Sequence, residues 1–148
     1  MRLWQLNKPE YTPGLDGEGA RLTGGRWNNP GLAAVYCADS LALAALEVWV
    51  NLPPETRRKG HVPLHMAIAL DVPDGLIDAP GHDVDLPEDV TRRIGDDWLR
   101  GMTNLGLSVP SSVVQLERNI VLNPRHPRMS EVKVTLTEPF SFDERLTY

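Results

Sequence analysis

The chain has 148 residues, with 15 Lys plus Arg against 20 Asp plus Glu, a formal net charge of −5. That length matches one domain and buries a core without staples, and with Cys37 as the one cysteine no intramolecular disulfide can form, as suits a reducing cytosol. An acidic chain binds polyanions poorly, which counts against a nonspecific nucleic-acid binder.

In chain order, Leu3 to Leu6 reads as a short strand in a segment, MRLWQLNKPE, without the apolar core of a signal peptide. A polar loop follows from Asn7 to about Gly25, where Pro9, Pro13 and the glycines break any helix; irregular loops of this length are often functional. Ala33 to Ala38 fits a buried strand. Asp39 or Ser40 then caps a helix running to about Leu52 and stopped by Pro53 and Pro54. That apolar stretch, interrupted by Glu47 and Asn51, is shorter than the roughly 20 residues a membrane span needs. The expectation is therefore a cytoplasmic chain with no membrane contact. ETRRKG is a charged surface loop, and Val62 to Val72 a strand that starts around Pro63.

An acidic connection spans Asp71 to Asp97, and its second half, Glu88 to Asn104, is expected to be helical, with Val90, Ile94, Trp98 and Met102 on one face. It reads as a solvated loop and helix face. Leu107 to Val114 is a strand broken at Pro110, and Asn119 to Leu122 is another short apolar run. Asn123-Pro124-Arg125-His126-Pro127 forms a rigid turn. Val132, Val134 and Leu136 alternate as in a half-exposed strand, with Phe140 and Phe142 continuing that edge. Strands outnumber helices without alternating with them, and no linker divides the chain. The expected class is α+β, a single domain over 1–148 with mixed, largely antiparallel sheets and a few helices.

Charge is unevenly placed. Residues 1–31 hold Arg2, Lys8, Arg21 and Arg26 against Glu10, Asp16 and Glu18, a balance of +1, so the rest carries −6; six of the twelve glycines lie in the same stretch. Glycine with arginine is what an anion-binding loop needs, and Arg26 in GGRWNNPG can grip a phosphate with two parallel hydrogen bonds. Glu47 is the one ionisable residue between Ser40 and Pro54, flanked on its helix by Leu43, Ala44, Val50 and Asn51. A carboxylate there is a structural ion pair, a group at a local solvent window, or a group held in a cleft for chemistry. His61 and His65 straddle Pro63 and make no zinc pair; no metal is expected. Cys37 reads as a small buried hydrophobe.

Taken together, GEGARLTGGRWNNPG, AVYCADSLALAALEVWV, VPSSVV, NIVLNPRHP and FSFDERL, in that order from about Leu3 to Leu146, resemble the RES domain. These are toxins of bacterial type II toxin–antitoxin pairs. The resemblance implies a fold like the diphtheria-toxin-like ADP-ribosyltransferases and an enzyme consuming NAD+ as substrate, with no separate cofactor. Such an enzyme is a glycohydrolase or phosphorylase, or alternatively an ADP-ribosyltransferase acting on a protein; a catalytically inactive interaction module is a further alternative. It implies a helix-turn-helix (Xre-type) antitoxin as partner, contact with DNA only through that antitoxin, and homodimers. The acidic 71–97 segment is then an alternative antitoxin-docking surface.

Carried over, the family's arginine falls on Arg26, its tyrosine on Tyr36, its glutamate on Glu47 and its serine on Ser111, with Ser112 the weaker claimant. Many members carry arginine in the first strand, where this chain has Trp4-Gln5; Arg21 or Arg2 is expected to compensate. NAD+ is an activated glycoside whose nicotinamide leaves as a neutral group, so one carboxylate, Glu47, suffices to stabilise the positive charge growing on the ribose. Tyr36 would stack on the nicotinamide, while Arg26, Arg21 and the loop around Gly25 would hold the diphosphate. Ser111 would orient either the nicotinamide amide or Glu47.

Overall fold

The computed structural model describes residues 1–83 and 85–148. Val84, inside the acidic 71–97 segment, lies outside the described residues. Among the latter, seven strands form one sheet: β1 (Arg2–Asn7), β2 (Val35–Ala38), β3 (His65–Asp71), β4 (Ile77–Asp78), β5 (Gly106–Pro110), β6 (Arg118–Leu122) and β7 (Lys133–Phe140), in the order β4-β5-β6-β2-β1-β3-β7. β4 and β5 are parallel and every other pair is antiparallel. Three α-helices accompany them, α1 (Glu18–Thr23), α2 (Leu41–Asn51) and α3 (Glu88–Gly101). The α+β expectation holds, as a single mixed sheet.

One sheet face is closed by loops. Leu3, Val35, Cys37, Ile68, Leu70, Ile120 and Leu122 form its core, joined by Leu15, Leu76, Ile77 and Met129. Burying each large aliphatic side chain contributes about 1.5–3 kcal/mol. Cys37 is buried there as expected, and desolvation pushes its thiol pKa up. The folded state therefore holds a proton that an unfolded cysteine releases above about pH 8.5, so stability is intact below that value and falls as pH rises through it. Chemical melts at pH 7 and pH 10 should show this loss in the parent and a smaller one in Cys37→Ala.

The opposite face carries helices on its two halves. α2 packs Leu43 and Ala44 against Leu6, Ala38 and Ala67. Its start is as expected: the Ser40 hydroxyl accepts from the Leu43 N–H at 3.1 Å. α3 covers the other half with Leu99 against Trp27, Ala34, Leu107, Val109 and Val121. Here the expected face is displaced. Thr91, Gly95, Asp96 and Leu99 are buried, while Val90, Ile94, Trp98 and Met102 are only half-buried along its flank. Gly95 decides this, because a Cβ there would overlap the Trp27 carbonyl; its absence brings α3 directly onto backbone.

Three local expectations are corrected, and one strand, β4, was not expected. The loop expected to be irregular contains α1, because Gly17 and Gly24 flank rather than interrupt it and Glu18 pairs with Arg21 at i,i+3. The short β4 carries too few residues to show a period. β5 stops at Pro110 rather than reaching Val114, since Ser111 turns the chain. β7 ends at Phe140, leaving Phe142 to pack on Trp49 and Phe140.

The sheet is also split. β1 and β2 pair only at Trp4–Ala38, after which they diverge. Gln5, almost wholly buried, reaches across the gap, its amide donating to the Tyr36 carbonyl oxygen at 3.5 Å. That split, which α2 spans through its packing on Leu6 and Ala38, places the site.

Candidate active site

A cavity of about 1020 Å³ opens over the split, its wall including Trp4, Gln5, Gly25, Arg26, Tyr36, Glu47, Glu88, Arg92, Ser112 and Asn119. The volume stands at the upper end of the range for small-molecule sites and so suits a ligand of dinucleotide size.

Glu47 projects into this wall from the middle of α2. The Ser111 hydroxyl donates to its Oε1 at 2.6 Å, and Asn119 Nδ2 donates to the same oxygen at 2.8 Å. Hydrogen bonds to a charged group are worth about 1.5–3 kcal/mol each, so the carboxylate is fixed without a cation. Oε2 accepts no hydrogen bond from the described residues. Of the sequence readings of Glu47, the structural ion pair is not what the fold builds: neither Oε1 partner is charged.

Ser111 is completely buried at the end of β5, and its oxygen accepts from the Val113 and Val114 N–H groups at 3.1 and 3.0 Å. With its proton on Glu47 and both lone pairs used, its capacity is full. Of the two roles expected for Ser111, the geometry matches the one that acts on Glu47. Ser111 positions Glu47, and Ser112 is the serine on the cavity wall.

Tyr36, on β2, lines the cavity, but its hydroxyl is committed to the loop: it accepts from the Trp27 N–H at 2.9 Å and donates to Asn28 Oδ1 at 2.7 Å. Burial pushes its pKa well above the ordinary tyrosine value, so it stays a neutral donor. Gly25 lies against this ring; a Cβ there would come 2.6 Å from the hydroxyl oxygen. Glycine is thus required for close approach of loop and ring. Asn28, wholly buried, in turn donates to the Ala20 and Leu32 carbonyls at 2.9 and 3.0 Å. Asn29 is tied to α3 through Asp96, which accepts from its N–H at 2.9 Å and its side chain at 2.7 Å.

Arg26 follows Gly25 on the cavity wall, where its Nη2 donates to the Leu86 carbonyl at 3.2 Å. Beside it, Arg92 from α3 donates through Nε to the Gly25 carbonyl at 3.0 Å and pairs with Glu88 at 3.4 Å. Register orders these groups. Asn119, and with it Glu47, stands opposite Ala38, while Gly25 packs on Tyr36 two residues back along β2. That separation along the strand is about 7 Å. Carboxylate, aromatic ring and guanidinium groups therefore follow one another along the cavity.

A family model described as the RES domain matches residues 2–143. The chain belongs to the RES domain family. "Toxin Res" of Photorhabdus laumondii is 34% identical over 158 aligned positions that cover 99% of this chain and 97% of the relative. "Prs ADP-ribosylating toxin" of a Sphingobium species is 34% identical, covering 89% of this chain and 86% of its own length. Among solved structures, the M. tuberculosis MbcT-MbcA toxin–antitoxin complex contains a chain that superposes with a TM-score of 0.74 at 18% identity, covering 95% of this chain and 84% of the other. This last likeness is one of fold.

Within this RES domain, Glu47, Tyr36, Arg26 and Gly25 converge on one cavity. Arg21 does not: it sits on α1, half-exposed, its Nε donating to both Glu18 oxygens at 2.8 and 2.9 Å. Arg2, the other expected substitute, stacks on Trp4 at 4.8 Å instead. Neither side chain lines the cavity, and each is held by a neighbour on its own element. Asn119, Arg92 and Glu88 are site residues that the sequence reading missed. An asparagine opening the apolar run Asn119–Leu122 was a signal for the first. Nothing in the acidic segment marked Arg92, because α3 reaches the loop only through the fold. No group of three or more His, Cys, Asp or Glu among the described residues is placed to hold a metal. No helix among them is long and apolar enough to cross a membrane.

Proposed function

We propose that this RES domain is the toxin of a toxin–antitoxin pair and that it cleaves the nicotinamide–ribose bond of NAD+. The observation that carries the reading is Glu47, a lone carboxylate held by two neutral donors on the wall of a cavity of dinucleotide size. The C–N bond breaks with its electron pair leaving on the nicotinamide nitrogen, which becomes neutral without a proton. The positive charge left on the ribose meets the Glu47 carboxylate, whose Oε2 accepts from a ribose hydroxyl. Preorganisation by Ser111 and Asn119 means that the carboxylate need not reorient as charge develops. Water or phosphate then attacks the anomeric carbon from the open side of the cavity. The nicotinamide packs on Tyr36, and Arg26 binds the diphosphate. The partner is a helix-turn-helix antitoxin, and the pair works in the cytoplasm, where NAD+ is abundant.

Incubating the purified protein with NAD+ and identifying products by mass spectrometry tests this. Free nicotinamide with ADP-ribose, or with its phosphate ester in phosphate buffer, is expected; unchanged NAD+ would refute the reading. The name of the Sphingobium relative favours a second one, transfer of ADP-ribose to a protein. Label from adenine-labelled NAD+ on a protein in lysate, with no free ADP-ribose, would select it.

Because Ser111 acts through Glu47, Ser111→Ala should lower kcat more than it raises KM. It also leaves the Val113 and Val114 N–H groups without their acceptor, at a cost of about 1–3 kcal/mol in stability. Steady-state kinetics beside a denaturant melt separate the two effects.

A further inference from the structure

The cavity's anion-binding end needs more than the loop that the sequence singled out. Gln5 at the split is neutral, Arg21 and Arg2 are engaged elsewhere, and Arg26 spends Nη2 on the Leu86 carbonyl. The cationic side chains on the cavity wall are Lys8, Arg26 and Arg92, faced there by Glu47 and Glu88. Lys8 is exposed at the start of the polar loop, whereas Arg92 is two-thirds buried. Its Nε is fixed on Gly25 O, which sets the plane of the guanidinium against the same glycine that packs on Tyr36. Its Nη2 lies 3.4 Å from Glu88, a loose contact one helical turn away, and Nη1 makes no hydrogen bond among the described residues. A guanidinium so held presents both terminal nitrogens to a ligand that can displace one weak partner.

We infer that Arg92 is the second cation of the site, gripping the ligand's diphosphate beside Arg26, and that Glu88 holds Arg92 until an anion displaces it. The inference rests on the NAD+ reading for the identity of the ligand, but its content is the anion contact. An anionic ligand gains two parallel hydrogen bonds from a planar group already oriented by Gly25, so little side-chain freedom is lost on binding. Glu88 competes for the same nitrogens, and its removal therefore strengthens binding. A merely structural Arg92, tying α3 to the loop, predicts instead that its removal weakens phosphate-bearing and phosphate-free ligands alike.

Isothermal titration with ADP-ribose, which carries the diphosphate and is not consumed, tests this on the parent, Arg92→Gln and Glu88→Gln; adenosine serves as the phosphate-free probe. Arg92→Gln should weaken ADP-ribose binding about tenfold, the scale of a lost charged hydrogen bond, and leave adenosine unchanged. Glu88→Gln should tighten ADP-ribose about threefold, the scale of an exposed ion pair. Equal losses for ADP-ribose and adenosine in Arg92→Gln, or weaker ADP-ribose binding in Glu88→Gln, overturn the inference, as does unaltered ADP-ribose affinity in Arg92→Gln. A parent that binds neither probe overturns the NAD+ reading itself and takes the inference with it.

Discussion

Glu47→Gln is expected to abolish NAD+ cleavage, lowering kcat by about a thousandfold, while the melting temperature changes little. The size follows from what the residue is asked to do. Removing a single preorganised electrostatic stabiliser costs roughly 10²–10³ in rate, and here the lost group is a full charge beside the developing cation. Fold retention follows from its partners. Ser111 and Asn119 both donate to Oε1, and a glutamine carbonyl oxygen at the same position still accepts from both. KM should therefore change by far less than kcat. Asn119→Leu is a useful contrast: it removes one donor and leaves the charge, so part of the activity survives. A Gln variant cleaving NAD+ at the parental rate would falsify the assignment of Glu47.

The second large effect is structural. Gly95→Ala, normally worth up to about 1 kcal/mol of added helix stability, should here destabilise by about 3 kcal/mol or more. The methyl would overlap the Trp27 carbonyl, and backbone cannot rotate away as a side chain can. In a domain of this size the melting temperature should drop by roughly 10 °C. Because α3 supplies Asp96 to Asn29 and Arg92 to Gly25, pushing the helix outward also displaces the loop that carries Arg26. KM for NAD+ should rise along with the loss of stability. A variant that melts above the parent, as propensity alone dictates, would show that α3 does not rest on Trp27.

The two variants show how differently the site was encoded. Glu47 was legible because it breaks an apolar run; a charge between Ser40 and Pro54 needs a reason, and the fold supplies neutral donors rather than an ion pair. Gly25 and Arg26 were legible as a glycine-rich basic loop, and Tyr36 through the resemblance. Arg21 was read from the same loop but does not line the cavity, because charge balance over residues 1–31 is blind to where each side chain points. Arg92 was hidden by the converse effect: the acidic average of 71–97 masks a guanidinium that faces inward.

What the sequence by itself determined is the local order: the α+β class, a cap at Asp39 or Ser40 and the proline stop of α2, a buried strand within Ala33–Ala38, the apolar run Asn119–Leu122, and the apolar setting of Glu47. Each depends on periodicity, capping or composition within a few residues. Tertiary structure decided how those pieces meet. Pairing of β2 with β6 sets Asn119 and, through the turn after β5, Ser111 against Glu47, 72 and 64 residues away along the chain respectively. The single-pair contact of β1 with β2 opens the cavity, and a missing Cβ at Gly95 lets α3 deliver Arg92 to it. Such contacts depend on strand register and close packing between distant segments, which no local pattern of hydrophobicity records.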